Sequence, residues 1–229
     1  MSATLLESVE LCAAGPPQAS VLWLHGLGAD GHDFEPLVPA LQATVGVPLR
    51  FVFPHAPVRA VSLNGGMPMR AWYDIIGLDR DSVQDERGLA ESAQRVGALI
   101  QRENERGIPT GRIVLAGFSQ GGALSLYLGA RYAQSLAGIV ALSCYLPVAQ
   151  KLATEASPAN RATPIFMAHG SFDGVVDPSR GLESRDLLRA AGYVVNWHSY
   201  RMDHAVCEQE IEDVSAFLRQ VLANPDRGP

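Results

Sequence analysis

The sequence predicts an α/β protein whose mostly parallel sheet is covered by helices on both faces. Apolar runs of strand length alternate along the 229-residue chain with segments of helical periodicity, as in proteins whose parallel strands are joined by crossover helices. The two central runs, residues 112–117 and 138–142, are apolar along most of their length, which is typical of strands buried on both faces. We expect one domain over residues 1–229, with a frayed tail at residues 224–229.

The strand candidates are short apolar runs, most of them with β-branched or aromatic side chains. In chain order they are residues 5–12, 20–24, 49–53, 112–117, 138–142, 164–168 and 193–199. Four helical segments lie between and after them, at residues 86–106, 122–132, 179–191 and 207–222. The first carries an apolar stripe with steps of four, three and four residues, formed by Leu89, Ala93, Val96 and Ile100. The third ends at Gly192, where a helix C-cap is expected.

Residues 54–82 break this alternation. The segment is long, irregular and rich in Pro and Gly, yet it contains eight apolar side chains: Val61, Leu63, Met67, Met69, Trp72, Ile75, Ile76 and Leu78. A long loop with so many apolar residues is typical of a functional segment, and we interpret it as the wall of a binding site. The alternative is a loop that packs on the core for stability only.

Composition excludes several classes of function. The net charge is −6 and there is no basic run, which argues against nucleic acid or an anionic membrane as the main partner. No apolar stretch is long enough to span a bilayer, so no stable membrane insertion is expected. Three widely spaced cysteines fit neither a disulfide framework nor a metal site. With acidic residues and no basic residue in the first twenty positions, a secretory signal is not predicted, and we expect a cytoplasmic protein.

Residues 117–121 read Gly-Phe-Ser-Gln-Gly, which fits the pattern G-x-S-x-G. A strand pattern ends before them and a helical pattern begins after them, which is the context of the nucleophile elbow of an α/β-hydrolase. The elbow turns so sharply that side chains two residues before and after the Ser would collide, so both positions require Gly. The pentapeptide alone is a weak signal, but the flanking elements make Ser119 the candidate nucleophile.

A nucleophilic Ser needs a base, and in this fold the chain order is Ser, then the acid, then His. His204 is the predicted base because it lies in a loop after the last strand, where an open α/β sheet places its site. His198 lies inside a strand pattern, and His169 precedes the preferred acid. Asp173 is the predicted acid, since it lies in the loop after the strand at residues 164–168.

Three other candidates remain for the roles of acid and nucleophile. Asp177 is the second choice for the acid, although Pro178 after it indicates a helix N-cap. Asp203 is a sequence neighbour of His204 and is poorly placed to hold its ring. Cys144 lies away from the elbow and is interpreted as a buried structural residue.

Two backbone N–H groups must stabilise the developing oxyanion. One is expected from Gln120, the residue after the nucleophile, at the positive end of the elbow helix. The second is expected from Leu27, in the glycine-rich loop after an early strand. His25 in that loop precedes Ser119, so we predict that it shapes the loop by hydrogen bonding. The loop lacks both G-x-G-x-x-G and G-K-[ST], so the hypothesis of a phosphate cradle is weak.

Seven features together resemble the acyl-protein thioesterase / carboxylesterase (phospholipase) family. They are residues 24–28 (LHGLG), 53–57 (FPHAP), 71–77 (AWYDIIG), 117–122 (GFSQGG) and 142–147 (LSCYLP), then His169-Gly170 with Asp173, and finally His204. The resemblance implies a compact α/β-hydrolase without a large cap domain and without a cofactor, and the spacing of the His, Cys and Asp residues fits no metal site. It assigns the triad to Ser119, Asp173 and His204, and the oxyanion donors to Leu27 and Gln120.

The same resemblance implies an acyl-binding wall at Ile75, Leu78, Tyr145 and Val175. Two positions depart from the family pattern. Asp203 stands before the base, where relatives usually have Gly, and Tyr145 replaces a frequent Trp. Neither position belongs to the predicted triad, but both affect the choice of substrate.

We therefore expect a serine carboxylesterase that hydrolyses short-to-medium acyl esters, with lysophospholipids and acyl-thioesters as further substrate classes. Its partner is a small-molecule ester or thioester, and the chain is expected to be a monomer or a homodimer. The alternative is a non-catalytic α/β-hydrolase relative that binds an acyl or hormone-like ligand. Such relatives generally lack a triad member, whereas this chain has all three predicted residues.

Overall fold

A computed structural model describes residues 5–13, 15–77 and 82–223. Its main sheet has seven strands in the order β1-β3-β2-β6-β7-β8-β9. All neighbours in it pair in parallel except β1, which is antiparallel to β3. The strands are β1 (Ser8–Cys12), β2 (Ala19–Leu24), β3 (Leu49–Pro54), β6 (Ile113–Phe118), β7 (Gly138–Leu142), β8 (Ile165–Gly170) and β9 (Val195–Tyr200). The predicted fold class is confirmed.

Helices cover both faces of this sheet. They are α1 (Val38–Gln42), α2 (Glu86–Glu105), α3 (Gln120–Arg131), α4 (Leu152–Glu155), α5 (Pro178–Ala190) and α6 (Glu208–Leu222). Side chains of α2, α3 and α5 pack in one hydrophobic layer, and those of α1 and α6 pack in the other. In β2, Leu22 and Leu24 face the first layer while Val21 and Trp23 face the second. Within the described residues, no helix combines the length and apolarity needed to cross a membrane.

The predicted loop at residues 54–82 contains an antiparallel hairpin, which the sequence analysis missed. Strands β4 (Val58–Val61) and β5 (Met67–Arg70) pair with each other outside the main sheet. Their turn contains Asn64, Gly65 and Gly66, and both glycines have positive φ. An Asn-Gly pair between two short runs is a hairpin signal, so the prediction of an irregular loop was wrong here.

Strand β8 is longer than its predicted segment, residues 164–168. His169 and Gly170 continue the ladder by pairing with Ser199 and Tyr200 of β9, whereas the sequence analysis placed them in a loop. A Cβ at Gly170 would collide with the backbone carbonyls of Met202 and Asp203, so the close approach of the two chain segments requires Gly. The strand extension buries the His169 side chain beneath the sheet edge that carries the site.

A buried carboxylate ties α2 to the sheet. Glu103 accepts hydrogen bonds from Ser20 Oγ of β2 at 2.5 Å and from Arg50 Nη1 of β3 at 2.8 Å, and its side chain is fully buried. Arg106 adds a third contact at 3.1 Å. Burial by itself raises the pKa of Glu103, but these hydrogen bonds outweigh burial and hold it below its usual value. Because the folded-state pKa is lowered, the stabilisation is present above the unfolded-state pKa and is lost as the pH falls through the folded-state value.

We expect Glu103→Gln to lower the free energy of unfolding by about 3 kcal/mol, since it deprives the partly buried guanidinium of Arg50 of its carboxylate partner. Urea denaturation at neutral pH measures this change. Glu105→Gln, at an exposed position of the same helix, is the control and should change the value by less than about 0.5 kcal/mol. In the Glu103→Gln protein, less stability should be lost on acidification. Equal unfolding free energies for the two variants would contradict this role.

Candidate active site

Strand β6 turns into helix α3 at Ser119, as the elbow motif predicts. Ser119 has φ 53° and ψ −119°, a backbone conformation that non-glycine residues rarely adopt. A Cβ at Gly117 would collide with the backbone of Gly121, and one at Gly121 would collide with the carbonyl of Leu24. The two glycines therefore allow the close chain approach that presents the Ser119 side chain at the carboxyl edge of the sheet.

Three side chains from separate elements meet at this edge. His204 Nε2 lies 2.9 Å from Ser119 Oγ, and His204 Nδ1 lies 2.7 Å from Asp173 Oδ2. Ser119 follows β6, Asp173 follows β8 and His204 follows β9, and parallel strands bring their carboxyl ends to one edge. The His204 ring also packs against Phe118, with ring centroids 4.8 Å apart. The structure thus brings together the three residues predicted from the sequence.

The Asp173 carboxylate is held by backbone as well as by His204. Its Oδ1 accepts hydrogen bonds from the N–H groups of Val175 and Val176, both at 2.9 Å. The side chain is fully buried. Asp177, the second choice for the acid, is the N-cap of α5 and accepts from the N–H of Ser179 at 2.8 Å. Its Pro178 therefore marks a helix start, as the sequence indicated.

The other candidates take no part in this line of hydrogen bonds, although Cys144 lines the same cavity as Ser119. The His198 ring stacks on Phe166 at a centroid distance of 4.6 Å. Asp203 is exposed, and its backbone carbonyl accepts from the N–H of Ala205. Cys144 is buried, and burial raises the pKa of its thiol far above the ordinary value, which keeps it protonated. None of these residues competes with the three that meet at Ser119.

The glycine-rich loop after β2 is shaped by His25, as predicted. Its Nε2 accepts from the N–H of Ala56 at 3.0 Å, so its Nδ1 carries the proton and donates to the carbonyl of Gly26 at 2.7 Å. Burial lowers the pKa of His25 to about 4, although the bond to Gly26 opposes this shift. The ring is therefore neutral at physiological pH and keeps both hydrogen bonds.

The Gln120 side chain joins this loop to the elbow, a role that the sequence analysis did not assign. Its Oε1 accepts from the N–H of Trp72 at 2.9 Å, and its Nε2 donates to the carbonyl of Tyr73 at 2.7 Å. Trp72 Nε1 in turn donates to the carbonyl of His25 at 2.9 Å. One buried chain of hydrogen bonds thus connects helix α3 with the loop that contains Leu27.

The two predicted oxyanion donors line one cavity with Ser119. Gln120 is the first residue of α3, and a helix supplies no carbonyl for the N–H at this position. In the same loop, the N–H of Gly28 donates a hydrogen bond to the backbone carbonyl of Arg70, and the N–H of Ala29 donates one to the carbonyl of Gly26. Leu27 and Gln120 both face the cavity that contains Ser119 and His204.

The cavity has a volume of about 280 Å³ and a mainly apolar lining. Of the four predicted wall residues, Ile75, Tyr145 and Val175 line it, while Leu78 lies outside the described residues, as does the tail at residues 224–229. Tyr145 lies beneath Arg180, whose guanidinium carbon is 3.6 Å from the ring centroid. Leu63 and Tyr73 also line it, and both belong to the segment at residues 54–82 that was interpreted as a binding wall. Lining residues that the sequence analysis missed include Cys144 and Val176.

Comparison with known proteins identifies the family. The sequence model described as phospholipase/carboxylesterase matches residues 7–222. Acyl-protein thioesterase 1 of Neurospora crassa is 41% identical over 214 residues, which cover 89% of this chain and 87% of the relative. Acyl-protein thioesterase 1 of Mycosarcoma maydis is 39% identical, with coverages of 90% and 92%. The crystal structure of Zea mays acyl-protein thioesterase 2 superposes with a TM-score of 0.84 at 31% identity, covering 94% of this chain and 99% of its own.

These matches agree with the motifs quoted above and with the arrangement of the sheet. The family model spans nearly the whole described chain, and the two sequence relatives are matched over most of their own length. The predicted enzyme class, a carboxylic ester hydrolase, is confirmed by this family model. The chain belongs to the phospholipase/carboxylesterase family of α/β-hydrolases.

Proposed function

We propose that this protein is a serine esterase that hydrolyses short-to-medium acyl esters and acyl-thioesters through a covalent acyl-enzyme. The observation that carries the proposal is the continuous hydrogen-bonded line from Asp173 through His204 to Ser119, with contacts of 2.7 and 2.9 Å. A base bonded to both the nucleophile and a buried acid is the geometry that activates a Ser hydroxyl.

In the first half-reaction, Ser119 Oγ attacks the acyl carbon while its proton passes to His204 Nε2. The carbonyl oxygen becomes an oxyanion, which the N–H groups of Leu27 and Gln120 stabilise. As the tetrahedral intermediate collapses, the bond to the leaving group breaks and His204 returns the proton to the departing alcohol or thiol. In the second half-reaction, water gives a proton to His204 and attacks the acyl carbon. The bond between the acyl carbon and Ser119 Oγ then breaks, the carboxylic acid leaves, and His204 returns the proton to Ser119 Oγ.

Two features of the site favour catalysis over simple binding of an acyl ligand. The strained backbone of Ser119 costs about 1–3 kcal/mol, and strain of this kind is typical of functional sites. The oxyanion loop is also held before substrate arrives, through the bonds of His25, Trp72 and Gln120. Preorganised donors stabilise charge as it develops without further rearrangement, which a simple ligand-binding site does not need.

The cavity supports an acyl group as the part of the substrate that is buried. Ile75, Tyr145 and Val175 offer mainly apolar surface next to Ser119, and each methylene buried there contributes at most about 0.8 kcal/mol. The names of the relatives support thioesters as substrates alongside oxygen esters. All three cysteines are free thiols, which supports action in a reducing compartment, the cytoplasm.

Replacement of the nucleophile tests the proposal most directly. We expect Ser119→Ala to lower kcat by on the order of 10⁴–10⁶-fold while the fold is retained. An organophosphonate should add covalently to Ser119, as mass spectrometry of the labelled peptide would show. Ser171→Ala, at an exposed serine after β8, is the control and should keep full activity. An adduct on another residue, or an active Ser119→Ala protein, would contradict the assignment.

The acid is tested by a pair of matched substitutions. Asp173→Asn should lower kcat by on the order of 10³–10⁴-fold, because an amide in this position favours the wrong His204 tautomer. Asp177→Asn should have little effect, since Asn and Asp cap helices almost equally well. Steady-state kinetics on one ester measures both variants. If the larger loss occurred in Asp177→Asn, the acid would be Asp177.

The acyl wall is tested with p-nitrophenyl esters from acetate to palmitate, together with a palmitoyl thioester and a lysophospholipid. We expect kcat/KM to rise with chain length and then level off or fall where the cavity is filled. Ile75→Asp should damage the longer esters more than acetate, because a long chain must desolvate the new charge.

The neighbouring Ile76 provides the control, since it is exposed and does not line the cavity. Ile76→Asp should leave the chain-length profile unchanged. If kcat/KM does not depend on chain length, and neither substitution changes this, the acyl group binds to a different surface.

A further inference from the structure

Asp173 has a second imidazole neighbour that the triad does not include. His169 Nε2 donates a hydrogen bond to the carbonyl of Val176 at 2.9 Å. The same nitrogen lies 3.2 Å from Asp173 Oδ2, which is the oxygen that His204 binds. His169 is 1% exposed, and it lies in β8, between two other strands of the sheet.

The surroundings of His169 determine its tautomer. Both close partners of Nε2 are oxygen acceptors, so Nε2 carries a proton. Nδ1 is buried and has no hydrogen-bond partner within the described part of the chain, and it faces Gly181, where an added Cβ would lie 2.5 Å away. The ring of Trp197 stacks beside it at 6.3 Å. A protonated Nδ1 would lack an acceptor here, so the ring is held neutral.

Burial lowers the pKa of His169, although the bond to Val176 and the charge of Asp173 oppose the shift. The charged or titratable groups that act on it are Asp173 and His204. A neutral ring offers Asp173 a donor without adding a positive charge. The full negative charge of Asp173 is therefore available to the imidazolium that forms on His204 during the reaction.

We propose that His169 is a positioning residue, which holds the carboxylate of Asp173 in the orientation that His204 requires. The inference rests on the proposed function, because it assigns His169 a role through the acid. The Nε2–H group of His169 contacts both the carboxylate of Asp173 and the backbone carbonyl of Val176, at the two ends of the loop formed by residues 173–176. Since the ring belongs to a central strand, it fastens residues 173–176 to the rigid sheet.

Asp173 Oδ2 consequently has two imidazole neighbours, while Oδ1 has two backbone donors. Without His169, the carboxylate keeps its two backbone hydrogen bonds at Oδ1 but can tilt at Oδ2. His204 then loses alignment with Ser119 although every triad member is present. A misplacement of about 1 Å far from the reacting atoms can cost on the order of 10²-fold in rate.

Two substitutions separate the donor from the packing. His169→Leu removes the N–H and keeps an apolar side chain, and His169→Gln retains a donor amide. We expect His169→Leu to lower kcat by on the order of 10²-fold with KM for a p-nitrophenyl ester nearly unchanged. Its acid limb in the pH profile of kcat/KM should move to lower pH, because a tilted Asp173 carboxylate stabilises the imidazolium of His204 less. His169→Gln should restore most of kcat and the original limb.

His198→Leu on the adjacent strand is the matched control and should preserve the profile, since the His198 ring stacks on Phe166 and its Nδ1 lies 3.9 Å from Asp213. Thermal unfolding of each protein shows how much of an effect is structural. Unchanged kcat and an unchanged acid limb in folded His169→Leu would overturn the proposal, and so would equal losses in His169→Leu and His169→Gln. If His169→Leu does not fold, His169→Asn replaces it, because its amide is too short to reach Asp173, and the same outcomes decide.

Failure of this inference is distinguishable from failure of the proposed function. If Ser119→Ala is inactive and His169→Leu is fully active, only the proposed role of His169 is contradicted. If Ser119→Ala is active, the proposed mechanism itself is contradicted, whatever the activity of His169→Leu.

Discussion

The whole site depends on the close approach of backbone at the turn from β6 to α3. Gly117, Gly121 and the carbonyl of Leu24 are so near one another that no Cβ fits between them. This contact forces Ser119 into its strained conformation and aims its hydroxyl at the cavity. It also places the first N–H groups of α3 beside the loop after β2, so the nucleophile and the candidate oxyanion donors are positioned by one steric constraint.

The remaining parts of the site are supported from two directions. On one side, the acid and base loops follow β8 and β9, and the β8 ladder continues to Gly170 because the backbone of residues 202–203 packs against it. On the other side, His25, Trp72 and Gln120 hold the oxyanion loop through buried hydrogen bonds. The first support originates in the β8–β9 ladder and the second is anchored at Gln120 in α3, and regular secondary structure is less mobile than loops.

Sequence patterns predicted the strands, and the three residues that meet at the carboxyl edge of the sheet, for a physical reason. Strands buried on both faces must be apolar, and the elbow requires Gly at fixed positions, so both leave local signals. The hairpin of β4 and β5 was missed although Asn64-Gly65 is a hairpin signal, because Pro and Gly elsewhere in the segment indicated irregular chain. His169 was rejected as a base by its chain position. Its contact with Asp173 depends on how far β8 extends, and no local pattern encodes the end of a ladder.

The Gln120 side chain places an unusual demand on one position of the chain. It must accept a hydrogen bond from the N–H of Trp72 and donate one to the carbonyl of Tyr73 in the buried interior. An ionised Glu can only accept, and Leu or Met offers neither function in useful strength. Only an amide of this length satisfies both partners, so residue 120 is constrained by its side chain even though its expected role at the oxyanion uses the backbone alone. Although residue 120 is a variable position of G-x-S-x-G, replacing it in an engineered protein would loosen the loop after β2, which contains Leu27.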